Sequence, residues 1–474
     1  LESLPESPIN FGLSYELLDD IKVGGYFFNG NTMGLQFNIS ANPNNYNGGD
    51  YLENAPQPFY SIPLPDKDIN LDIVWEEISS TLKTENIDLI GYKIDKNEVS
   101  LVIENKYYSS NSQSIGRTLR IMSRFIPKSF NIFSVVVASG GIPVSKVSFD
   151  RNDLDIIIDA PNSELISKKI KNFSYAPKVL NNYTVMKNHF SKFNLLFSTY
   201  YRLHLFDPNK PLYYDIGPEM FFGYKFRPGL ELNGVIDTSF LSTFDQISRG
   251  PKGKLPNVRT DLKNYLNVME PRIRDLSLLS LYKYSPKVYG RITAGILEPM
   301  FAGISNEILY FEALPDLSLG AEFNYVYKRD YRQLLGLRNL EGMANFNGHL
   351  SAYWDTGFKN YIGQLDLGRY LAGDKGGSVT LTRSFPNGWK IGGFFTITDA
   401  SFEDFGEGSF DKGFFIRIPY GSIMPYESKD GLLESIRPIQ GDGGQRVGVN
   451  GRLYDLLTEY SKGNIDKSWM RIWR

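Results

Sequence analysis

From about residue 190 onward, apolar and polar residues take turns with a period of two. Phe193, Leu195, Phe197, Tyr201, Leu203 and Leu205 oppose Asn194, Ser198, Arg202 and His204. Leu317, Leu319, Ala321, Phe323, Tyr325 and Tyr327 oppose Ser318, Gly320, Glu322 and Asn324. Ala344, Phe346, Leu350, Ala352 and Trp354 oppose Asn345, Asn347, His349 and Ser351, and Val379, Leu381 and Phe385 oppose Ser378, Thr380, Thr382 and Ser384. Successive side chains of a strand point to opposite faces, so each run has one apolar and one polar side. The runs are about 9–11 residues long, the length a tilted strand needs to cross a bilayer.

Loop lengths test the same idea independently. Transmembrane barrels have short turns on one side and longer loops on the other. Short turns fall at Arg227-Pro228-Gly229, Ser285-Pro286-Lys287, Leu314-Pro315-Asp316, Asp355–Asn360 and Pro386-Asn387-Gly388. Long ones fall at 241–275, 328–342 and 398–412, while 371–376 is short for its side and 421–447 long. The count is about 14 strands, within a range of roughly 12–16.

Composition agrees. The 474 residues include 30 Tyr, 32 Phe and 44 Gly. Only outward positions of a barrel must be apolar, with aromatic girdles at both interfaces, so a low mean hydropathy is compatible with membrane insertion. No window approaches the 18 apolar residues of a helical span. The chain has no Cys, which excludes disulfides, Cys-ligated zinc and thiol catalysis. A net charge of −2 provides no electrostatic basis for binding nucleic acid. No signal peptide is visible before Leu1, as expected of a mature or truncated chain.

The remainder has a different grain. Residues 1–45 read as strands, with Phe11, Leu13, Tyr15 and Leu17 in one run, Met33, Leu35, Phe37 and Ile39 in another, and Asn29-Gly30 as a hairpin signal. Three strands fit the barrel count poorly, so they read as a remnant of, or addition to, a barrel. Residues 46–66 read as a linker. In 67–160, Leu71, Val74, Trp75, Ile78 and Leu82 mark one helix, and Ile115, Leu119, Met122 and Ile126 another that Pro127 stops. Strands are expected near 87–95, 97–104, 131–139 and 142–149, making a small α+β domain. A connector at 161–189 and a barrel over 190–474 complete the division.

Three constellations invite a chemical reading. Gly441-Asp442-Gly443-Gly444 lacks the Lys-Ser/Thr pair of a phosphate-binding loop and reads as a turn. Glu403, Asp404, Glu407 and Asp411 could hold calcium or act as a glycosidase pair, but an outer loop bridged by surface cations accounts for them. Asn345, Asn347, His349 and Ser351 contain hydrolase ingredients, yet residues i and i+2 of a strand stand about 6.6 Å apart, too far for a direct His–Ser bond. No catalytic or metal-binding residue is assigned, and no cofactor is expected.

The stretches Gly368–Gly376, Leu381–Trp389 and Phe405–Gly413, with Tyr289-Gly290-Arg291, Gly295 and Glu307–Tyr310, resemble the YjbH-type family of exopolysaccharide and group 4 capsule biosynthesis proteins. The α+β segment around Gly116-Arg117 is similar in layout. The resemblance implies a Gram-negative outer-membrane barrel with a periplasmic domain, working in capsule or exopolysaccharide export, and carries no catalytic motif. Longer members have two barrel regions. It also implies the partners: outer-membrane lipids, polysaccharide, and a polysaccharide-export lipoprotein or periplasmic assembly proteins docking on 67–160.

The expected fold is therefore mainly β: a transmembrane antiparallel barrel plus a small periplasmic α+β domain. By alternation, the lumen should be lined by Arg202, His204, Glu231, Asn233, Asp237, Arg291, Thr293, Glu322, Asn324, Asn345, Asn347, His349, Gln364, Asp366, Thr380, Thr382 and Lys390. These offer many modest hydrogen-bonding groups of both charge signs, suited to a glycan rather than to selection of one ion. The leading expectation is a non-enzymatic export component that conducts glycan or anchors the assembly. A porin-like channel for small solutes and an outer-membrane hydrolase are the alternatives.

Overall fold

A computed structural model describes residues 7, 9–18, 21–28, 30–39, 53–60, 71–177, 183–186, 192–205, 210, 212–247, 253–266, 270–385, 388–405, 410–422, 428–437 and 441–474. Thirteen antiparallel strands, from Lys192–Leu205 to Gly431–Ile436, pair in chain order, each with the next. Two two-residue strands, Leu241–Ser242 and Leu337–Arg338, pair with their neighbours beyond this path. The sheet curls into a nearly closed barrel.

The alternation decides which face is which. Phe323 is 48% exposed, Phe346 60% and Leu381 50%. Their neighbours Glu322, Asn324 and Asn347 are buried. The barrel thus turns an apolar belt outward and a polar face inward, the reverse of a water-soluble sandwich. The strand ends fall at the short turns expected from the sequence. Arg227 is followed by Leu230, Ser285 by Val288, and Leu314 by Leu317. Asp316 (φ 62°) and Asn360 (φ 59°) take the left-handed conformation that such tight connections need. No helix among the described residues is long and apolar enough to cross a membrane.

The α+β part holds a six-stranded sheet backed by helices α1 (Leu71–Thr84) and α2 (Asn111–Phe125). Ile78, Leu82, Ile115, Leu119 and Met122 project from these helices at helical spacing into one core with Leu101, Phe133 and Val135. Its strands Ile87–Asp95, Glu98–Asn105, Ile132–Ser139 and Ile142–Asp150 sit where the sequence places them. The expected connector at 161–189 is partly structured instead. Helix Ser163–Ile170 and strand Asn172–Tyr175 extend the domain, and Thr184–Val185 pairs at the other edge of the sheet. These pieces are too short for a readable period.

The three strands Phe11–Leu18, Ile21–Phe28 and Thr32–Ile39 form a separate antiparallel sheet that pairs with no barrel strand among the described residues. They fall in the smaller of two compact units. Most of the expected linker at 46–66 lies outside the described residues.

One boundary moves. Strands end at Ile436, not near Arg474. In 441–474 the period of two is gone: Leu453, Leu457, Tyr460, Ile465, Trp469 and Ile472 follow helical spacing, and short helices form at Leu453–Leu457 and Lys462–Lys467.

Candidate functional site

The segment 441–474 begins at the barrel end remote from the α+β domain. Asp442 accepts hydrogen bonds from the backbone N–H of Arg259 (2.7 Å) and Thr260 (3.0 Å) and from the Thr260 hydroxyl (2.7 Å). The glycine-rich turn is therefore a latch onto the loop at 253–266 rather than an anion cradle. Asp374 accepts from the Gly444 N–H at 2.7 Å, and Gln445 O from the Leu371 N–H at 2.9 Å. The stretch Gly368–Gly376, one of those that carry the family resemblance, thus holds the segment in place. Leu371 and Ala372 bury beside Val447 in a small core with Val258, Phe301 and Met343.

The chain then passes through the lumen. Arg446 Nη1 lies 2.8 Å from Asp366 Oδ1, and its Nη2 3.4 Å from Glu322 Oε1. Arg452 Nε donates to Glu322 Oε2 at 2.9 Å, and its Nη2 to Oε1 at 3.3 Å. Arg291, fully buried, donates to Glu307 Oε2 (3.0 Å), Thr293 Oγ1 (2.8 Å) and Ser305 Oγ (3.0 Å), and reaches Glu322 Oε2 at 3.4 Å. Glu307 also accepts from the Leu453 N–H at 3.0 Å. Asn450 donates to Asp275 Oδ2 at 3.0 Å. Three guanidiniums and three carboxylates interlock, an arrangement whose mutual attraction and hydrogen bonds offset the cost of taking these charges out of water.

Beyond the lumen the segment enters the α+β core. Trp469 and Ile472 are fully buried there against α2. A Cβ at Gly116 would overlap the Ile472 carbonyl oxygen, so only glycine admits this approach. Ser112 Oγ donates to Ile465 O at 2.9 Å and stands 2.9 Å from Ser468 Oγ, while Ser145 donates to Tyr460 O. The barrel also meets the domain directly: Lys283 donates to Pro143 O and Ala176 O at 2.8 Å each, and the Gly229 N–H to Gly140 O at 3.0 Å.

The residues expected along the lumen have several fates. Arg291, Thr293, Glu322, Asn324, Asn347 and Asp366 are buried at or beside the segment. Asn324 donates to Glu322 Oε1 at 3.2 Å and to Asn347 Oδ1 at 3.1 Å, and Gln364 donates to Asp366 Oδ2 at 2.7 Å. Arg202 and Asp237 join a second network: both Arg202 and Arg272 bridge Asp215, at 3.2 and 3.0 Å, and both pair with Asp237. His204, Glu231, Asn233, Thr380, Thr382 and Lys390 are half-buried, with Asn233 donating to Glu231 Oε1 at 3.0 Å. Asn345 precedes strand Phe346–Asp355, is half-buried and donates from its side-chain amide to Val326 O at 2.9 Å.

His349 is buried, edge-on to Tyr370 with ring centroids 4.6 Å apart, and neither ring nitrogen meets a hydrogen-bond partner among the described residues. Ser351 donates to Asp366, not to His349. The acidic loop does not converge either. Asp404 pairs with Lys254 at 3.5 Å, Asp411 with Arg437 at 3.0 Å, and Glu407 lies outside the described residues. Arg446, Arg452, Glu307, Asp275 and Arg272 are absent from the lumen expected by alternation. For Arg446 and Arg452 the cause is plain: 441–474 is not barrel, and the switch to helical spacing after Leu453 is the signal that marks it.

Residues 2–459 match the YjbH family model, described as "Exopolysaccharide biosynthesis protein YbjH". A relative from Escherichia coli (strain K12), "Uncharacterized lipoprotein YjbH", is 32% identical over 208 residues, 44% of this chain and 30% of that protein. The match thus spans under a third of that relative's length. A solved structure, "OmpT (in-vitro folded), an outer membrane protein of Vibrio cholerae", superposes on 48% of this chain and 79% of that one at 10% identity and a TM-score of 0.23. The barrel assignment rests on strand pairing and the exposed belt, and the family on the sequence match: the chain belongs to the YjbH family of exopolysaccharide biosynthesis proteins.

Proposed function

We propose that this chain is a non-enzymatic outer-membrane component of exopolysaccharide or capsule secretion in a Gram-negative bacterium. Its α+β domain faces the periplasm and docks export partners, among them a polysaccharide-export lipoprotein. The observation that carries this reading is the path of residues 441–474. One segment is latched at the remote barrel end, ion-paired at mid-lumen and buried in the α+β core. It ties the membrane part to the domain as one body, as an anchor for an export assembly requires.

The filled mid-lumen favours this reading over a porin, whose passage stays open to solutes. The inward polar positions, including His204, Glu231, Asn233, Gln364, Thr380, Thr382 and Lys390, supply the neutral and mixed-sign hydrogen-bonding surface that a glycan would meet. The engagement of Ser351 with Asp366 argues against a serine hydrolase.

The test is secretion. Cells carrying a chain that lacks the α+β domain but retains the barrel should insert it and release little polysaccharide. Normal release from such cells would overturn the reading. The unmodified protein should show no steady large conductance in planar bilayers; finding one would favour the porin.

A further inference from the structure

We propose that residues 441–452 form a retractable plug, released from the lumen wall while the chain on one side of it stays in the last barrel strand and on the other stays seated in the α+β domain. This deepens the reading above as its regulation. It rests on the barrel spanning a bilayer, not on glycan being the cargo.

The two halves of the segment are held by different forces. At the domain, Tyr460, Ile465, Trp469 and Ile472 are buried apolar or aromatic side chains in a packed core. Withdrawing them would expose that area to water, so this half is an anchor. In the lumen the grip is polar. Arg446 and Arg452 rest on Glu322 and Asp366, and Asn450 on Asp275. Arg446 and Arg452 keep 18% and 26% of their side chains exposed, so water can take over from Glu322 and Asp366 once the lumen opens. Val447 and Val449 are the apolar side chains of the stretch that must leave the small core at the remote end with them. The backbone suits movement as well. Gly441, Gly443, Gly444, Gly448 and Gly451 punctuate the stretch, which forms no helix or strand before Leu453. Gly444 (φ 69°) and Gly451 (φ 78°) occupy the left-handed region at its two ends. A glycine-rich strap, continuous with the last barrel strand on one side and with an apolar anchor on the other, can bow out of the lumen without unfolding either support.

The cysteine-free chain permits a direct test with paired cysteines. In planar bilayers the full chain should be closed, with brief openings. E322Q/D366N, which weakens the lumen grip and keeps the anchor, should raise open probability at least tenfold. D275C/N450C, bridged by a short reducible bis-methanethiosulfonate, should abolish openings, and reduction should restore them. S112C/S468C, oxidised to tether the anchor to α2, should leave openings unchanged. Equal conductance of bridged and reduced D275C/N450C would overturn the proposal, as would an unaltered open probability in E322Q/D366N. Openings frozen by the S112C/S468C disulfide would show that the anchor is what moves, and would overturn it too. Failure of polysaccharide secretion with normal gating would count against the export reading alone.

Discussion

Glu322 on the barrel wall receives Arg452 from the crossing segment at 2.9 Å, and it is also within 3.4 Å of Arg291 and of Arg446. One carboxylate therefore serves three guanidiniums. Replacing it leaves buried cations short of an anion, which is more costly than the pair was worth. Glu322→Leu should lose about 3–5 kcal/mol of stability, read from denaturant unfolding in detergent. The double variant E322Q/R452M should recover part of that loss. An E322L chain as stable as the parent would show that Glu307 and Asp366 suffice.

The fit between α2 and residues 465–473 leaves no room at position 116. Alanine is the better helix former by about 1 kcal/mol, so Gly116→Ala would stabilise an unconstrained helix. Here its Cβ overlaps the Ile472 carbonyl. We expect a net loss of about 1–3 kcal/mol and faster proteolysis within 453–474. Protection equal to the parent would mean that the approach is looser than described.

The outward belt makes a lipid-facing test simple. Leu350 is exposed at mid-strand, and Thr380 lies on the inner face. Leu350→Arg should cost about 2–4 kcal/mol on folding into vesicles, the range for arginine near the bilayer midplane. Thr380→Arg should cost much less. Similar costs at both positions would contradict a lipid-exposed belt.

Acid should loosen the α+β sheet at one known place. Burial alone would raise the Glu98 carboxyl, but Lys146 and the Ser134 and Ser100 hydroxyls outweigh it and hold the group below its ordinary value of 4.5. A carboxylate depressed on folding contributes stability above its unfolded pKa, lost as pH falls through the folded one. Hydrogen exchange in strand Glu98–Asn105 should therefore accelerate as pH drops below about 4.5, after correction for intrinsic rates. Lys146→Met should blunt that acceleration.

Much of this architecture is legible in the amino-acid sequence. Alternation such as Phe323/Asn324/Tyr325 specifies an inside and an outside, because a period of two admits no other assignment. The helices around Ile78 and Ile115 are equally plain from their spacing. What escapes has a physical reason. Arg446 and Arg452 belong to a segment whose partners Glu322 and Asp366 lie on other strands, and ion pairing leaves no period in the sequence.

Ser112 and Ile465 are hydrogen-bonded across 353 positions, with every strand of the barrel between them. During synthesis α2 emerges long before the residues that cover it. Contacts of such separation form late, and until they do the nascent domain keeps part of its apolar surface bare and prone to self-association. The domain thus cannot reach its final packing ahead of the barrel. A chain stalled in membrane assembly remains recognisably unfinished to the chaperones and proteases that patrol its compartment.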